Sequence, residues 1–252
     1  MHAEAIQYIE ALDLPDPGPR YESAGEVEIQ FGEQAEAVAV GSQITEFGTA
    51  VSPAQRAAVS DCLLLAQLAA NKAMANNPDM MAWYKRYVEV LQNIGWTATS
   101  MSFERRKIDE AESSVNKVVI PLLTSLLGPG AAAASIVVSV LNSLQDMDKD
   151  SPWITLFDRA SQHASGAKFQ LGFVDADEGA EPTVSAKLVA LAIDAKRTIT
   201  QVLFFKFSSQ NATLSSADGR FGIGAATLEA IRPSVQEKVT PFLIDNIGKI
   251  EL

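Results

Sequence analysis

A histidine with acidic and hydroxyl neighbours lies in the segment FDRASQHASG, where Asp158, Ser161 and Ser165 surround His163. These residue types form nucleophilic triads, in which a carboxylate orients a histidine that takes a proton from a serine. The segment lacks a nucleophile elbow, and triads are recognised by geometry rather than by closeness in sequence. We therefore favour a loop histidine that hydrogen-bonds a hydroxyl group or water.

Metal and thiol chemistry have few candidate residues. The chain has two histidines and one cysteine, too few for a zinc site built from histidine and cysteine. Cys62 follows Asp61 in an apolar segment, and a neighbouring carboxylate opposes formation of the reactive thiolate. A single cysteine also excludes an intramolecular disulfide. We predict a buried, structural Cys62, and we assign no catalytic residue, no metal ligand and no cofactor.

A glycine pair and an aromatic cluster are two further candidates for ligand binding. Gly222 and Gly224 precede a predicted helix, but a dinucleotide site requires such glycines after the first strand of a parallel β–α–β unit. A turn or bulge is favoured because short connections join the preceding strands. Trp83, Tyr84 and Tyr87 recur at helical spacing and either outline a ligand pocket or form core packing, which we favour.

The segment from residue 118 to residue 145 contains no charged side chain. Its 28 residues exceed the ~20 that a membrane-spanning helix needs, but Gly128-Pro129-Gly130 divides it. The pieces 118–127 and 131–144 would be about 15 Å and 21 Å long, too short for a hydrocarbon core of about 30 Å. We predict an antiparallel helical hairpin over residues 118–144. It is either buried in the core, which we favour, or able to leave the core and insert into lipid.

Charge is distributed unevenly along the chain. The net charge is −11, and residues 1–50 alone carry ten acids and one arginine. An acidic protein repels phosphate backbones, so we expect no nucleic-acid partner. We expect this arm to dock on helices through five apolar side chains, with its carboxylates in solvent; the alternative is a shield over the apolar hairpin. The docking residues would be Ile6, Ile9, Val27, Ile29 and Phe31.

Periodicity indicates helices in the first part of the chain and strands in the second, which is the α+β pattern. The predicted helices cover residues 3–12, 53–76, 79–94, 109–127, 131–144 and 152–161 and a segment from about 225. The predicted strands cover residues 26–31, 96–106, 168–177, 183–194, 198–209 and 219–224.

Three stretches carry a resemblance to known sequences: WYKRYVEVLQNIGW (83–96), FQLGF (169–173) and VLFFKFSS (202–209). They resemble an uncharacterised group of bacterial and fungal proteins of similar length, as does the order of elements from about residue 55 onward. The resemblance implies a shared architecture, and it implies no activity and no functional residues.

These observations predict an α+β fold in which apolar helices pack on an antiparallel sheet formed mainly by residues 165–224. The first segment has no basic region and no apolar run, so we expect no secretory signal and a cytoplasmic protein, with signal-independent export as the alternative. We expect a single domain, 1–252, with an acidic arm (1–50), a mainly helical half (53–161) and a β-meander with a C-terminal helix (165–252).

Three functions are compatible with this sequence. The first is a non-enzymatic binding or interaction protein, membrane-active or toxin-like through the hairpin 118–144. The second is a soluble carrier of a lipid or another apolar small molecule, held in a closed cavity between residues 118–144 and 184–207. The third, an enzyme, ranks last because no catalytic constellation is recognisable. The candidate partners are therefore a membrane or an apolar ligand, and the sequence specifies neither a protein partner nor self-association.

Overall fold

The computed structural model describes residues 2–17, 30–77, 79–99, 101, 103–107, 114–163, 166–177, 179, 181–195, 197–207 and 212–250. The helices in this part of the chain are α1 (His2–Ala11), α2 (Pro53–Ala73), α3 (Met80–Asn93), α4 (Val115–Leu127), α5 (Pro129–Ala134), α6 (Ile136–Ser143), α7 (Pro152–Ser161), α8 (Ala225–Val239) and α9 (Leu243–Asn246). The strands are β1 (Glu36–Val40), β2 (Gln43–Phe47), β3 (Thr97–Ala98), β4 (Glu104–Lys107), β5 (Gln162–His163), β6 (Gly166–Ala176), β7 (Thr183–Asp194), β8 (Thr213–Gly224) and β9 (Ile247–Lys249).

The strands form one mixed sheet in the order β3-β8-β7-β6-β2-β1-β9, with β4 added to β8 and β5 added to β6. The predicted α+β class is confirmed. The sheet is not wholly antiparallel, because β2 pairs with β6 in parallel, with Ile44 opposite Leu171. The long strands β6, β7 and β8 form the antiparallel centre of the sheet.

Strands β6 and β7 match two of the predicted strands, whereas the strand predicted over 198–209 is wrong. Residues 197–207 contain bends, a turn at residues 203–204 and one isolated antiparallel bridge, from Lys206 to Ser114. The buried rings of Phe205 and Phe207 meet edge to face, 5.2 Å apart. The aromatic side chains are thus buried outside the strands of the sheet. Instead, the backbone N–H of Val115 donates to the carbonyl oxygen of Phe205 at 3.1 Å, so this segment positions the start of α4.

Helices cover both faces of the sheet. Along β7, Leu188 and Ala190 face a core formed with α1, α2, α3 and α8, while Val189 and Leu191 face a core formed with α4, α6 and α7. This alternation follows from the two-residue period of a strand. The central strands therefore need apolar side chains on both of their faces.

Helix α2 begins as its sequence predicts. The side chain of Ser52 accepts a hydrogen bond from the backbone N–H of Gln55, and the side-chain oxygen of Gln55 accepts one from the backbone N–H of Ser52. Pro53 occupies the first helical position. Most of the helix beyond Ala58 is buried, as the apolar run CLLLAQLAA predicts. At the end of α3, Gly95 has a φ of +107°, and an added Cβ would lie 2.8 Å from Thr227 Cγ2, so a side chain is disfavoured there.

The acidic arm contributes to the core on the α2 side of the sheet. Helix α1 contacts α8, and Ala5 and Ile9 are buried. Of the other predicted docking residues, Ile6 is partly buried, and Phe31 contacts Phe47 edge to face at 5.8 Å. Val27 and Ile29 lie outside the described residues, as does most of the strand predicted over 26–31. Because α1 lies on the face opposite α4, the shield hypothesis is wrong for this helix. The strands β1 and β2, which the sequence pattern did not predict, attach residues 36–47 to the sheet.

A fully buried arginine connects the arm to α2. Arg56 is 0% exposed, and its guanidinium donates to the Glu36 carboxylate at 2.7 Å. Its other acceptors are the backbone carbonyl oxygens of Gly32, Glu33, Gln34, Gly48 and Val51. An arginine buried with this many acceptors fixes the loop before β1 against the start of α2.

Candidate functional site

The uncharged segment, together with the first turn of α4, forms what we call the outer helical layer, residues 115–144, which comprises α4, α5 and α6. Gly128 ends α4 with a φ of +84°, a backbone conformation that glycine adopts readily, and Pro129 begins α5. The side-chain amide of Asn116, in the first turn of α4, donates to the carbonyl oxygen of Leu141 near the end of α6 at 3.1 Å. The predicted reversal at residues 128–130 is therefore confirmed.

The second half of the hairpin is two helices rather than the predicted one. Ser135 is extended, with φ −73° and ψ 130°, and it separates α5 from α6. Its hydroxyl oxygen accepts a hydrogen bond from the backbone N–H of Val138 at 3.2 Å, which is N-capping of α6. The sequence AAAAS thus contains a helix end that its composition does not reveal.

Burial in the outer helical layer is one-sided. Val115, Val119 and Leu123, spaced four residues apart on α4, face the sheet and are buried, as are Val137 and Val140 on α6. The favoured prediction of a hairpin buried in the core is therefore right for its inner face and wrong for its outer face. The exposed residues between Lys117 and Asp146, all uncharged, are Pro121, Ser125, Pro129, Gly130, Ala131, Ala133, Ala134, Ser139, Asn142 and Gln145.

Partly buried apolar side chains enlarge this uncharged surface. Val118, Leu122 and Leu126 form a second stripe on α4, next to the buried one, and each is partly exposed. The boundaries of the surface are charged, with Lys117 exposed at one end and Asp146 at the other. A soluble helix usually directs charged side chains outward, so an outer face without charge is the distinguishing property of this layer.

A carboxylate of the sheet attaches the layer to β2. Glu46 Oε2 accepts hydrogen bonds from the hydroxyl of Ser135 at 2.7 Å and from the backbone N–H of Val137 at 3.0 Å. The carboxylate therefore binds the N-terminus of α6, where unpaired N–H groups and the helix dipole favour negative charge. Sequence reasoning did not identify Glu46, because its position beneath α6 depends on the unpredicted strand β2.

A groove of about 390 Å³ lies between α4 and the sheet. Leu122, Leu126 and Val189 are among its apolar lining residues, but Asp218 and Arg220 also line it. The groove is therefore not the closed apolar cavity that the carrier hypothesis requires. It combines apolar side chains with charge.

The Asp-Ser-His segment does not form a hydrogen-bonded relay. Asp158 Oδ1 accepts from the backbone N–H of Val202 at 2.8 Å, and burial raises the pKa of Asp158 to about 6, although this hydrogen bond lowers it. Within the described part of the chain, Ser161 Oγ and His163 Nδ1 are buried without a hydrogen-bond partner. Ser165 lies outside that part. The hydrogen bond between Asp158 and Val202 is structural, because it attaches α7 to the segment that contains residue 202.

The remaining sequence candidates lie in the core or in regular structure. Cys62 is 1% exposed, and burial raises the pKa of its thiol to about 12, so the thiolate is disfavoured. Gly222 belongs to the antiparallel strand β8 rather than to a turn, and Gly224 caps α8. These positions do not resemble a dinucleotide site, which requires a parallel β–α–β unit.

The aromatic cluster of α3 forms core contacts, as favoured. The rings of Trp83 and Tyr87 stack at 5.5 Å, and Tyr84 is edge to face with Trp83 at 5.0 Å. The Tyr84 hydroxyl lies 2.8 Å and 2.9 Å from the carbonyl oxygens of Phe169 and Leu191, which attaches α3 to the centre of the sheet.

The described residues contain neither a membrane-spanning helix nor a cluster of metal-binding side chains. None of the helices found there is both long and apolar enough to cross a bilayer. Within the same residues, histidine, cysteine and carboxylate side chains do not gather in groups of three or more that could hold a metal ion.

The sequence matches no protein-family model and no curated protein. Two solved structures are distantly similar to the fold. One, titled "DELTA-ENDOTOXIN", is 12% identical, with a TM-score of 0.37 over 82% of this chain and 90% of that chain. The other, titled "Structure of the Evf virulence factor", is 12% identical, with a TM-score of 0.29 over 82% of this chain and 78% of that chain. TM-scores this low establish neither a shared fold nor a shared function.

Proposed function

We propose that this is a non-enzymatic, membrane-active protein of toxin-like action, whose outer helical layer enters the surface of a lipid bilayer. The observation that carries the proposal is the uncharged outer face of α4, α5 and α6 between Lys117 and Asp146. Moving a charged side chain into hydrocarbon costs about 2.5–3.5 kcal/mol at the centre of a helix, and this face avoids that cost.

The lengths of the helices limit how deeply the layer enters lipid. Helix α4 has 13 residues, which corresponds to about 20 Å, and α6 has eight. Neither extends across a hydrocarbon core of about 30 Å. We therefore propose that the hairpin lies in one leaflet, in the manner of interfacial helices, and perturbs the bilayer without spanning it as a single helix.

Dye release from vesicles tests this proposal directly. We expect the purified protein to release dye from phosphatidylserine-containing vesicles, and to release more near pH 5 than at pH 7. The physical reason is that partial protonation of carboxylates reduces the net charge of −11, which opposes approach to anionic lipid. An absence of leakage from both anionic and neutral vesicles at either pH would contradict the proposal.

Matched substitutions separate the outer helical layer from the rest of the surface. Ser125 and Ala133 are exposed on the layer, so Ser125→Asp and Ala133→Asp should leave folding unchanged while placing a charge where lipid would lie. The control is Gln92→Asp on α3, which is exposed on the opposite face of the molecule. We expect leakage to fall at least about tenfold in the first two variants and to remain unchanged in the control, since an insertion cost above 1.4 kcal/mol is more than a factor of ten.

A carrier of apolar molecules is the alternative function, and the groove beneath α4 is where its cargo would bind. The presence of Asp218 and Arg220 in the lining does not match an apolar cargo, because each charge would be desolvated by it. Saturable binding of a fatty acid without vesicle leakage would favour the carrier over the membrane-active protein.

A further inference from the structure

A buried lysine lies on the face of the sheet opposite the outer helical layer. Lys168, on β6, is 5% exposed, and its Nζ lies 4.1 Å from the centroid of the Trp83 ring. Its hydrogen-bond acceptor is Asn71 Oδ1, at the long distance of 3.5 Å. Lysine is almost never buried unless its charge is paired, so this ammonium group requires an explanation.

Within the described part of the chain, no ion pair compensates the charge of Lys168. Burial lowers the pKa of Lys168 from 10.5 to about 8, so the amine is mostly protonated at neutral pH. Three ammonium hydrogens are thus held in a poorly hydrated site by an aromatic ring and one weak acceptor. Such a group binds an anion favourably because the cost of its own desolvation has already been incurred in folding.

The ammonium adjoins a cavity of about 370 Å³, within the size range of small-molecule sites. A second buried atom without a hydrogen-bond partner among the described residues, His163 Nδ1, belongs to the same lining. Burial and the charge of Lys168 lower the pKa of His163, while Asp194 raises it, so the imidazole is neutral at pH 7. The lining residues are Asn71, Met74, Ala75, Asn76, Asn77, Trp83, Gln162, His163 and Lys168.

We propose that this cavity, the Lys168 pocket, binds a small organic carboxylate whose oxygens accept hydrogen bonds from Lys168 Nζ. One cationic side chain in the lining matches a single negative charge better than it matches a phosphate dianion. The side-chain amides of Asn77 and Gln162 offer further donors, and Trp83 and Met74 offer apolar surface for the remainder of the ligand.

Calorimetric titration of the full-length protein with benzoate tests the proposal. We expect saturable binding at millimolar concentration or below, at least about tenfold weaker binding of the neutral analogue benzamide, and weaker binding of inorganic phosphate than of benzoate. Phosphate binding that is tighter than benzoate binding and depends on Lys168 would overturn the carboxylate assignment. The absence of saturable benzoate binding would overturn the pocket itself.

Two lysine variants locate the site. Lys168→Met removes the charge, keeps the length of the side chain and should bind benzoate at least about tenfold more weakly. The control is Lys149→Met, because Lys149 also lies over an aromatic ring, 4.9 Å from the centroid of Phe204, but is exposed. Equal benzoate affinity in Lys168→Met and the wild type would refute the proposal.

An NMR signal from the pocket and the pH dependence of benzoate affinity provide two independent readouts. The indole N–H of Trp83 donates to Asn71 Oδ1 at 2.7 Å, so its NMR signal should shift with benzoate. Affinity should decline as the pH rises from 7 to 10, most steeply above about pH 8, as Lys168 loses its proton. The groups packed around this lysine are Asn71 of α2, Trp83 of α3 and His163 of β5, and the His163 imidazole is already neutral in this range. A shift confined to other tryptophans, or an affinity independent of pH up to 10, would contradict the assignment to Lys168.

Discussion

Removal of the Glu46 carboxylate should loosen the outer helical layer without unfolding the protein. The variant Glu46→Ala loses the hydrogen bonds from Ser135 Oγ and the Val137 N–H. Hydrogen bonds to a charged group contribute about 1.5–3 kcal/mol each when buried. Because Glu46 is partly exposed, water replaces part of this interaction, and we expect a loss of about 2 kcal/mol in the free energy of unfolding. Glu46→Gln retains an acceptor oxygen and should lose about 1 kcal/mol.

Urea unfolding and amide hydrogen exchange measure the two consequences of this change. The free energy of unfolding should fall as stated, and the amides of α6 should exchange faster than those of α2. Glu89→Ala is the control, because Glu89 forms an exposed pair with Arg86 on α3, and such pairs contribute at most about 1 kcal/mol. A double-mutant cycle with Ser135→Ala should give a coupling of roughly 1 kcal/mol with Glu46→Ala.

The same variant connects the contact to the proposed function. If Glu46 holds α6 against the sheet, Glu46→Ala should release more dye from vesicles than the wild type. The reasoning is refuted if Glu46→Ala unfolds like Glu89→Ala, exchanges its α6 amides at the wild-type rate and shows no coupling to Ser135. In that case apolar packing and the hydrogen bond from Val115 to Phe205 would attach the layer.

Three further predictions concern burial and charge. Val140 is 0% exposed, so Val140→Asp buries an unpaired carboxylate at a cost of several kcal/mol in stability and should abolish soluble expression. Ile136 is partly exposed, so Ile136→Asp should still give the circular dichroism spectrum of the folded protein. Arg56→Met removes one donor from the Glu36 carboxylate, which keeps the Gly32 N–H and Lys249, and the arginine donor of five carbonyl groups. It should lower the free energy of unfolding by about 3–5 kcal/mol in denaturant titration. Burial raises the pKa of Asp61 to about 7 against a smaller opposing effect of Arg232, so the native state retains a proton that the unfolded state loses near pH 3.8. Wild-type stability should therefore fall relative to Asp61→Asn between about pH 4 and pH 7, by roughly 4 kcal/mol in urea titrations. A difference between the two proteins that does not change from pH 4 to pH 8 would contradict this.

Local signals in the sequence predicted several elements well. The capping residue Ser52 with Pro53 predicted the start of α2, and the glycines around residue 129 predicted the reversal of the hairpin. Strands β1 and β2 were missed although Val38, Val40, Ile44 and Phe47 favour strands, because the alanines and polar residues between them obscure the pattern. Gln43 is buried, and the hydroxyl of Tyr87 on α3 hydrogen-bonds its side chain. Hydrophobic periodicity reports which side chains avoid water, but it cannot report which polar side chains are given partners by a distant segment.

The sequence indicated one of the two candidate sites, the outer helical layer, and did not indicate the Lys168 pocket. The absence of charge from residue 118 to residue 145 marked the outer helical layer. Lys168 alternates with Phe169 and Leu171, a pattern that predicts a solvated face for the lysine. In the structure α2 and α3 cover that face, so its burial depends on tertiary packing that the strand's own pattern does not encode.

The parallel pairing of β2 with β6 also constrains the order in which the chain can fold. Gln43 is paired with Gln170, and on its other side the β1–β2 hairpin is completed by β9, residues 247–249. At about 5–20 residues per second, a ribosome takes on the order of ten seconds to add the chain between β2 and β6. During that interval both edges of the hairpin carry unpaired backbone groups, which are open to incorrect strand pairing. Chaperone dependence during synthesis, and slow refolding of the whole chain, are the consequences of building a sheet from segments so far apart in sequence.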